Sequence, residues 1–311
     1  MKQAVLVGRQ SFEFRDVPVP EPADGEVLVK VRASGICASE LHDWQDGPHQ
    51  PWPIGHEVAG DVVAIGDGVE AFRPGDRVTG LFGKGFSDFA CERADRVLQI
   101  PSPIATESAF GEPLACAVSA ARRTKVEFGD RVAIVGLGFM GLLVLQLLRL
   151  KGPRQILGLD LRKEAVFNGT RFGCDIAMTP AQLEASAADP ALEKFDVVVE
   201  ASGTQDGLSL ATSLTREHGV LSILGYHQGG PRQIDMKLWN YRALEVLNAH
   251  ERRPDYKMDS MRRGLDLAAA GKIELAALTT DRFSLDRVGD AFAALAGKPP
   301  GFIKAVIVSN P

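Results

Sequence analysis

Only four cysteines, Cys37, Cys91, Cys116 and Cys174, occur in the 311 residues, and no two of them form a CxxC pair. Their scarcity and wide spacing exclude a disulfide framework and a four-cysteine structural zinc lobe. No block of like charge is present, and the formal net charge is −5. A nucleic-acid surface needs a concentrated basic field, so that class of partner is excluded, as is a charged interaction tail. The opening MKQAVLVGRQ has too short an apolar stretch before Gly8 and Arg9 for a secretory leader. Internal repeats and low-complexity segments are also missing. A protein of the reducing cytoplasm is expected. What is there is ordinary for a globular chain, 45% hydrophobic and 24% charged, and long enough for two domains with full cores.

One stretch, VAIVGLGFMGLLVLQLLRL over residues 132–150, is apolar enough to pass for a membrane helix. Its β-branched start, central glycines and leucines at helical spacing point instead to a buried strand, a tight turn and a buried helix. No membrane partner is expected.

The chain carries two kinds of pattern. Over the first hundred residues, EVLVKVRASG, EVAGDVVAIG, GDRVTGLF and RVLQIP are short β-branched runs between Gly, Pro and Asp, which predicts an antiparallel barrel or sandwich. Residues near 10–25 and 44–54 read as proline-rich connections. From about residue 118, strands alternate with helices: RVAIVG, QILGLD, FDVVVEASG and GVLSILGY, with a helical stretch around 205–216. Near-continuous apolar strands in that rhythm predict a parallel sheet covered on both faces. Two helical segments, KMDSMRRGLDLAAAGKI and SLDRVGDAFAALAGK, and a closing strand FIKAVIV complete the chain.

GLGFMG places Gly136, Gly138 and Gly141 in the spacing G-x-G-x-x-G, after a predicted strand and opening a predicted helix. In that setting the pattern is a dinucleotide fingerprint: a tight turn, a close backbone approach to pyrophosphate, and close packing of helix on strand. Phe139 and Met140 lie inside the loop and count with the glycines as cofactor contacts. Asp160 closes the next strand, where a carboxylate accepts both ribose hydroxyls and repels a 2′-phosphate, favouring NAD over NADP. A strand-end acid capping a turn is the alternative for Asp160. Arg162, just beyond, weakens the NAD preference without reversing it. Ser202 and Gly225, at the ends of the next two strands, complete the expected cofactor set.

GICASELHDW raises a different question, because a lone Cys37 reads most simply as a small buried hydrophobe. However, PIGHEVAG brings His56 and Glu57 to the entry of a strand, and GEPLACAV puts Glu112 just before a helix. Thiolate, imidazole and carboxylate together suit a catalytic Zn²⁺ site.

With these elements in view, the chain resembles the zinc-dependent medium-chain dehydrogenase/reductases of the alcohol dehydrogenase superfamily, nearest the sorbitol and polyol dehydrogenase branch. The resemblance rests on GICASELH, GHEVAG, PGDRV, GEPLACA, GDRVAIVGLGFMG and VVVEASG, in that order. It implies an α/β two-domain fold: a GroES-like β-rich catalytic domain over 1–117 and 246–311, and a Rossmann doubly wound parallel sheet over 118–245, with the active site in the cleft between them. It also implies Cys37, His56, Glu57 and Glu112 as metal residues, Glu57 either ligating or sitting just behind the metal. Ser39 and His42 match a proton relay, in which a zinc-bound alcohol loses its proton to Ser39 and on to His42 while hydride passes to the nicotinamide. Asp43 and Trp44 are pocket candidates. Cys116 is read as packing, with an alternative as a ligand. The family's structural-zinc lobe is absent, so one zinc per chain is expected.

The function implied is a zinc-dependent, NAD-linked oxidoreductase acting on a secondary alcohol, a polyol or sugar derivative, in a homodimer or homotetramer. Two alternatives stand beside it: a zinc-free quinone or enoyl reductase using NADPH on the same fold, and a non-catalytic nucleotide-binding protein. The charged NAHERR segment at 248–253 has no role in this reading, and His49, His218, His227 and His250 are left unassigned.

Overall fold

A computed structural model describes residues 1–186, 192 and 194–309. The chain divides into two compact units, Met1–Cys116 with the chain from Arg253 onward, and Ala117–Arg252. Three helices carry the sites: α1 (Gly111–Arg123), α2 (Phe139–Arg149) and α3 (Pro254–Ala269).

The first unit is built on the strand Glu26–Gly35, which reads as a β-branched run and is buried along most of its length. It pairs antiparallel with Glu57–Ile65, Phe89–Arg93 and Ala305–Val308. The sheet continues through Arg77–Gly80 and Val97–Gln99 on one side and Asp281–Phe283 on the other. Asp281–Phe283 and Ala305–Val308 are parallel, a departure from the antiparallel pattern expected. Val27, Val29, Val58, Val62, Val78 and Phe82 fill one core of this unit. Residues 10–25, expected as a connection, include the strand Ser11–Asp16, which pairs with Lys2–Gly8. SFEFRD lies at the edge of a small sheet with most of its residues exposed, so its apolar positions are too few to show a strand period.

The second unit is a six-stranded sheet with every neighbour parallel. Its order is Ile176–Met178, Gln155–Leu159, Arg131–Val135, Phe195–Glu200, Thr215–Ile223, Glu245–Asn248. This is the doubly wound order, in which the chain starts in the middle and reverses direction beside its first strand. The final strand carries this unit past residue 245, to Arg252. The apolar run 132–150 is the strand Arg131–Val135, a glycine turn and α2, whose buried face includes Leu142, Leu143, Leu145 and Leu148. Among the described residues no helix is long and apolar enough to cross a membrane.

Candidate metal centre and nucleotide site

The metal centre follows from strand register. Gly35 and Glu57 are direct partners in the antiparallel pair Glu26–Gly35/Glu57–Ile65. Cys37 lies just past the end of one strand and His56 just before the start of the other, so pairing alone brings them together. Gly55 completes the approach: its φ is +99°, and a Cβ there would stand 2.7 Å from Phe86 N. One ligand atom each from Cys37, His56 and Glu57 lies within 4.8 Å of the others.

Glu40 orients this group. Its Oε1 accepts from Gly55 N at 2.8 Å and pairs with His56 Nδ1 at 2.9 Å, which leaves Nε2 as the ring nitrogen for a metal. Burial opposes charge on His56, but hydrogen bonds and charge from Cys37 and Glu40 outweigh it and raise its pKa to about 12. Thiolate, imidazole and carboxylate are the donor types zinc takes. Glu57 adds a buried carboxylate to the group, with the Lys304 ammonium beside both of its oxygens.

At the head of the second unit, Gly136 (φ +102°) would carry a Cβ 2.7 Å from Ser202 N, and a Cβ on Gly141 would strike Gly136 O at 1.9 Å. Both glycines are required by close packing. Gly138 differs: it caps α2, and a Cβ there would meet nothing within 4 Å. That open approach to a helix N-terminus suits a pyrophosphate. Phe139 and Met140 follow on the first turn of α2, half-buried. Asp160 Oδ2 accepts from Leu137 N in the glycine loop at 2.9 Å, and Oδ1 accepts from Arg162 N at 2.9 Å and Nε at 3.3 Å. Its carboxylate therefore both shapes the loop and pairs with Arg162.

These observations meet in the comparisons. The alcohol dehydrogenase GroES-like domain family matches residues 23–112. The chain is 26% identical to the sorbitol dehydrogenase of Bacillus subtilis, over 94% of this chain and 92% of that protein. The 2R,3R-butanediol dehydrogenase from Bacillus subtilis superimposes with a TM-score of 0.87 at 25% identity, over 99% of both chains. Over nearly its whole length the chain is similar to medium-chain dehydrogenase/reductases, and the family match falls on their GroES-like domain. The curated relatives it resembles along most of its length are sorbitol dehydrogenases, that of Gallus gallus among them at 26% identity over 93% of this chain and 92% of that protein. The galactitol-1-phosphate dehydrogenase of Escherichia coli shares the fold, with a TM-score of 0.85 at 21% identity over 99% of this chain and 100% of that one.

The other expected residues fall into different settings. Ser39 Oγ donates to Cys37 Sγ at 3.2 Å, beside the metal group. His42 is half exposed and pairs through Nδ1 with Asp46 at 2.8 Å. Trp44, expected at the pocket, is 5% exposed and stacks on Phe292 at 5.7 Å. Glu112, expected among the ligands, lies outside the group of three, where its Oε1 accepts from Lys257 Nζ at 2.6 Å and from Cys116 Sγ at 3.3 Å. Burial opposes charge on Glu112, yet Lys257 and His56 hold its carboxyl below the usual range. Burial and the Glu112 charge push the Cys116 thiol up, which suits a protonated donor.

Three residues at these sites, Glu40, Lys304 and Glu200, carry no local signal in the sequence. Glu40 was passed over inside the cysteine motif. Lys304 donates to Glu57 Oε1 at 2.8 Å and to Ile36 O at 2.8 Å while lying 2.6 Å from Oε2. Glu200, fully buried at the end of its strand, accepts through Oε1 from Ser202 N, Ser202 Oγ and Gly203 N. Its Oε2 meets His227 Nε2 at 2.8 Å, and a Cβ on Gly225 would come within 2.4 Å of that oxygen. Ser202 and Gly225 thus shape the pocket around Glu200. The charge of the 248–253 segment also finds partners: Arg123 donates to His250 O and pairs with the buried Glu251, and Arg253 lies over the Tyr256 ring.

Proposed function

We propose that the chain oxidises a secondary alcohol of the polyol or sugar-derivative class, using NAD and one zinc ion held at Cys37, His56 and Glu57. The observation that carries this reading is the meeting of a thiol, an imidazole and a carboxylate within 4.8 Å of one another. The names of the relatives, sorbitol dehydrogenase and 2R,3R-butanediol dehydrogenase, point to hydroxyls on secondary carbons. When bound, zinc supplies the Lewis acid that acidifies a hydroxyl and NAD supplies the hydride acceptor.

The chain's own residues do the rest. Glu40 fixes the His56 ring, and Ser39 Oγ, on the Cys37 sulfur, stands where a substrate hydroxyl proton is released. His42, half exposed, passes that proton to solvent. The open face at Gly138 admits the pyrophosphate, and Asp160 accepts the adenosine ribose hydroxyls. Phe139, Met140, Arg162, Ser202 and Gly225 line the cofactor's path. One zinc per chain is expected, since no second cysteine cluster occurs in the sequence. Four free thiols fit a reducing compartment such as the cytoplasm. We propose a homodimer or homotetramer in solution.

The deciding experiment is zinc stoichiometry on purified protein before and after chelation, with NAD reduction followed on a panel of polyols and sugars. About one zinc per chain, with activity lost and restored alongside it, is the expected result. Metal-free protein with NADPH-linked reductase activity would place it with the zinc-free reductases instead.

The cofactor preference has its own test. Asp160→Ala is expected to lower the ratio of kcat/KM for NAD over NADP by about tenfold, the effect of one lost hydrogen-bonded charge contact. An unchanged ratio would remove Asp160 from the ribose site.

A further inference from the structure

Helix α3 is pinned against the first turn of α1 at two glycines. A Cβ on Gly111 would stand 2.6 Å from Met261 Sδ, and one on Gly264 would stand 2.5 Å from Leu114 Cγ. Gly111 is held in turn by Thr79, whose Oγ1 accepts from its N–H at 2.9 Å. Lys257, Met261 and Gly264 are spaced four and three residues apart, so they share one helical face. Packing at Met261 and Gly264 therefore fixes the face from which Lys257 extends. Its Nζ lies 2.6 Å from Glu112 Oε1, and the two side chains are only 17% and 15% exposed. The same oxygen accepts from Cys116, one turn along α1. Glu112 is thus held by partners on both helices, while Cys37, His56 and Glu57 close a donor group without it.

We propose that Lys257 is a positioning residue that keeps Glu112 out of the metal's donor set. The inference rests on the zinc reading above. A lysine suits this role because its ammonium is a compact donor that cannot itself bind a cation, and because Glu112, unlike Glu57, is held outside the donor group. Without it, a charged carboxylate in a half-buried setting would turn to the nearest cation, which is the metal.

The test uses the full chain loaded with Co²⁺ in place of zinc, because the cobalt d–d bands report coordination number and geometry. Lys257→Met is expected to weaken and shift those bands as Glu112 joins the ligands, and to slow zinc loss to a chelator about tenfold. Lys257→Met combined with Glu112→Gln is expected to return both to wild type. Lys257→Arg, which keeps a cationic donor, is expected to change neither. A Lys257→Met protein with the wild-type spectrum and the wild-type rate of zinc loss would overturn the proposal. Should Lys257→Met not fold, Glu112→Gln alone decides: unchanged bands support the proposal, and shifted bands show that Glu112 already ligates and overturn it. A wild-type protein that takes up neither metal sinks the zinc reading, and this inference with it.

Discussion

Cys37→Ser is expected to lose nearly all bound zinc and to slow alcohol oxidation by about a thousandfold or more, while binding NADH as tightly as wild type. The thiolate is the soft ligand of the group, and a serine hydroxyl neither ionises near neutrality nor matches zinc's preference. A thousandfold is about 4 kcal/mol of transition-state stabilisation, within what a Lewis acid supplies. NADH binding survives because the glycine loop and Asp160 are fixed by contacts inside their own unit: Leu137 N to Asp160, and Gly136 against Ser202. Metal analysis, turnover and fluorescence titration with NADH check the three statements separately. Retained zinc with retained rate would mean that Cys37 is a packing residue.

Lys304→Met is expected to give the largest loss of stability of any single substitution around the site. Lys304 is 4% exposed and Glu57 1%, and the ammonium contacts both carboxylate oxygens. A buried ion pair contributes little net stability when intact, but removing one partner strands the other charge and costs about 3–5 kcal/mol. Glu57 Oε2 occupies the space that Gly35 leaves free, where a Cβ would lie 2.0 Å from that oxygen. The loss should be largest in chelated protein and smaller with zinc, because a metal at Glu57 replaces the missing cation. Combining Lys304→Met with Glu57→Gln should recover most of the stability. Urea unfolding of the chelated proteins decides the matter: a Lys304→Met midpoint equal to wild type would show that the pair is not stabilising Glu57.

What the sequence reveals and what it hides divide by range. The glycine loop was legible because strand, turn and helix are written in consecutive residues, and each glycine's role follows from local geometry. The strands carrying Cys37 and His56 were legible from their β-branched runs, and their register then brings the two residues together. The short exposed strand Ser11–Asp16 was not, since an edge with few buried positions leaves little pattern. The lysines were invisible for another reason. Lys257 reaches Glu112 across 145 residues and Lys304 reaches Glu57 across 247, and nothing local marks a lysine as buried. Trp44 shows the same limit: its place in a motif suggests the pocket, and nothing local announces the Phe292 ring on which it stacks.

The two lysines also bear on how the fold manages without an ion. Lys304 sits on Glu57 and Lys257 on Glu112, so each of these carboxylates has a cation of the chain's own beside it. The donor group can then be assembled before any metal arrives, and an incoming ion has to compete for Glu57 with an ammonium already in place.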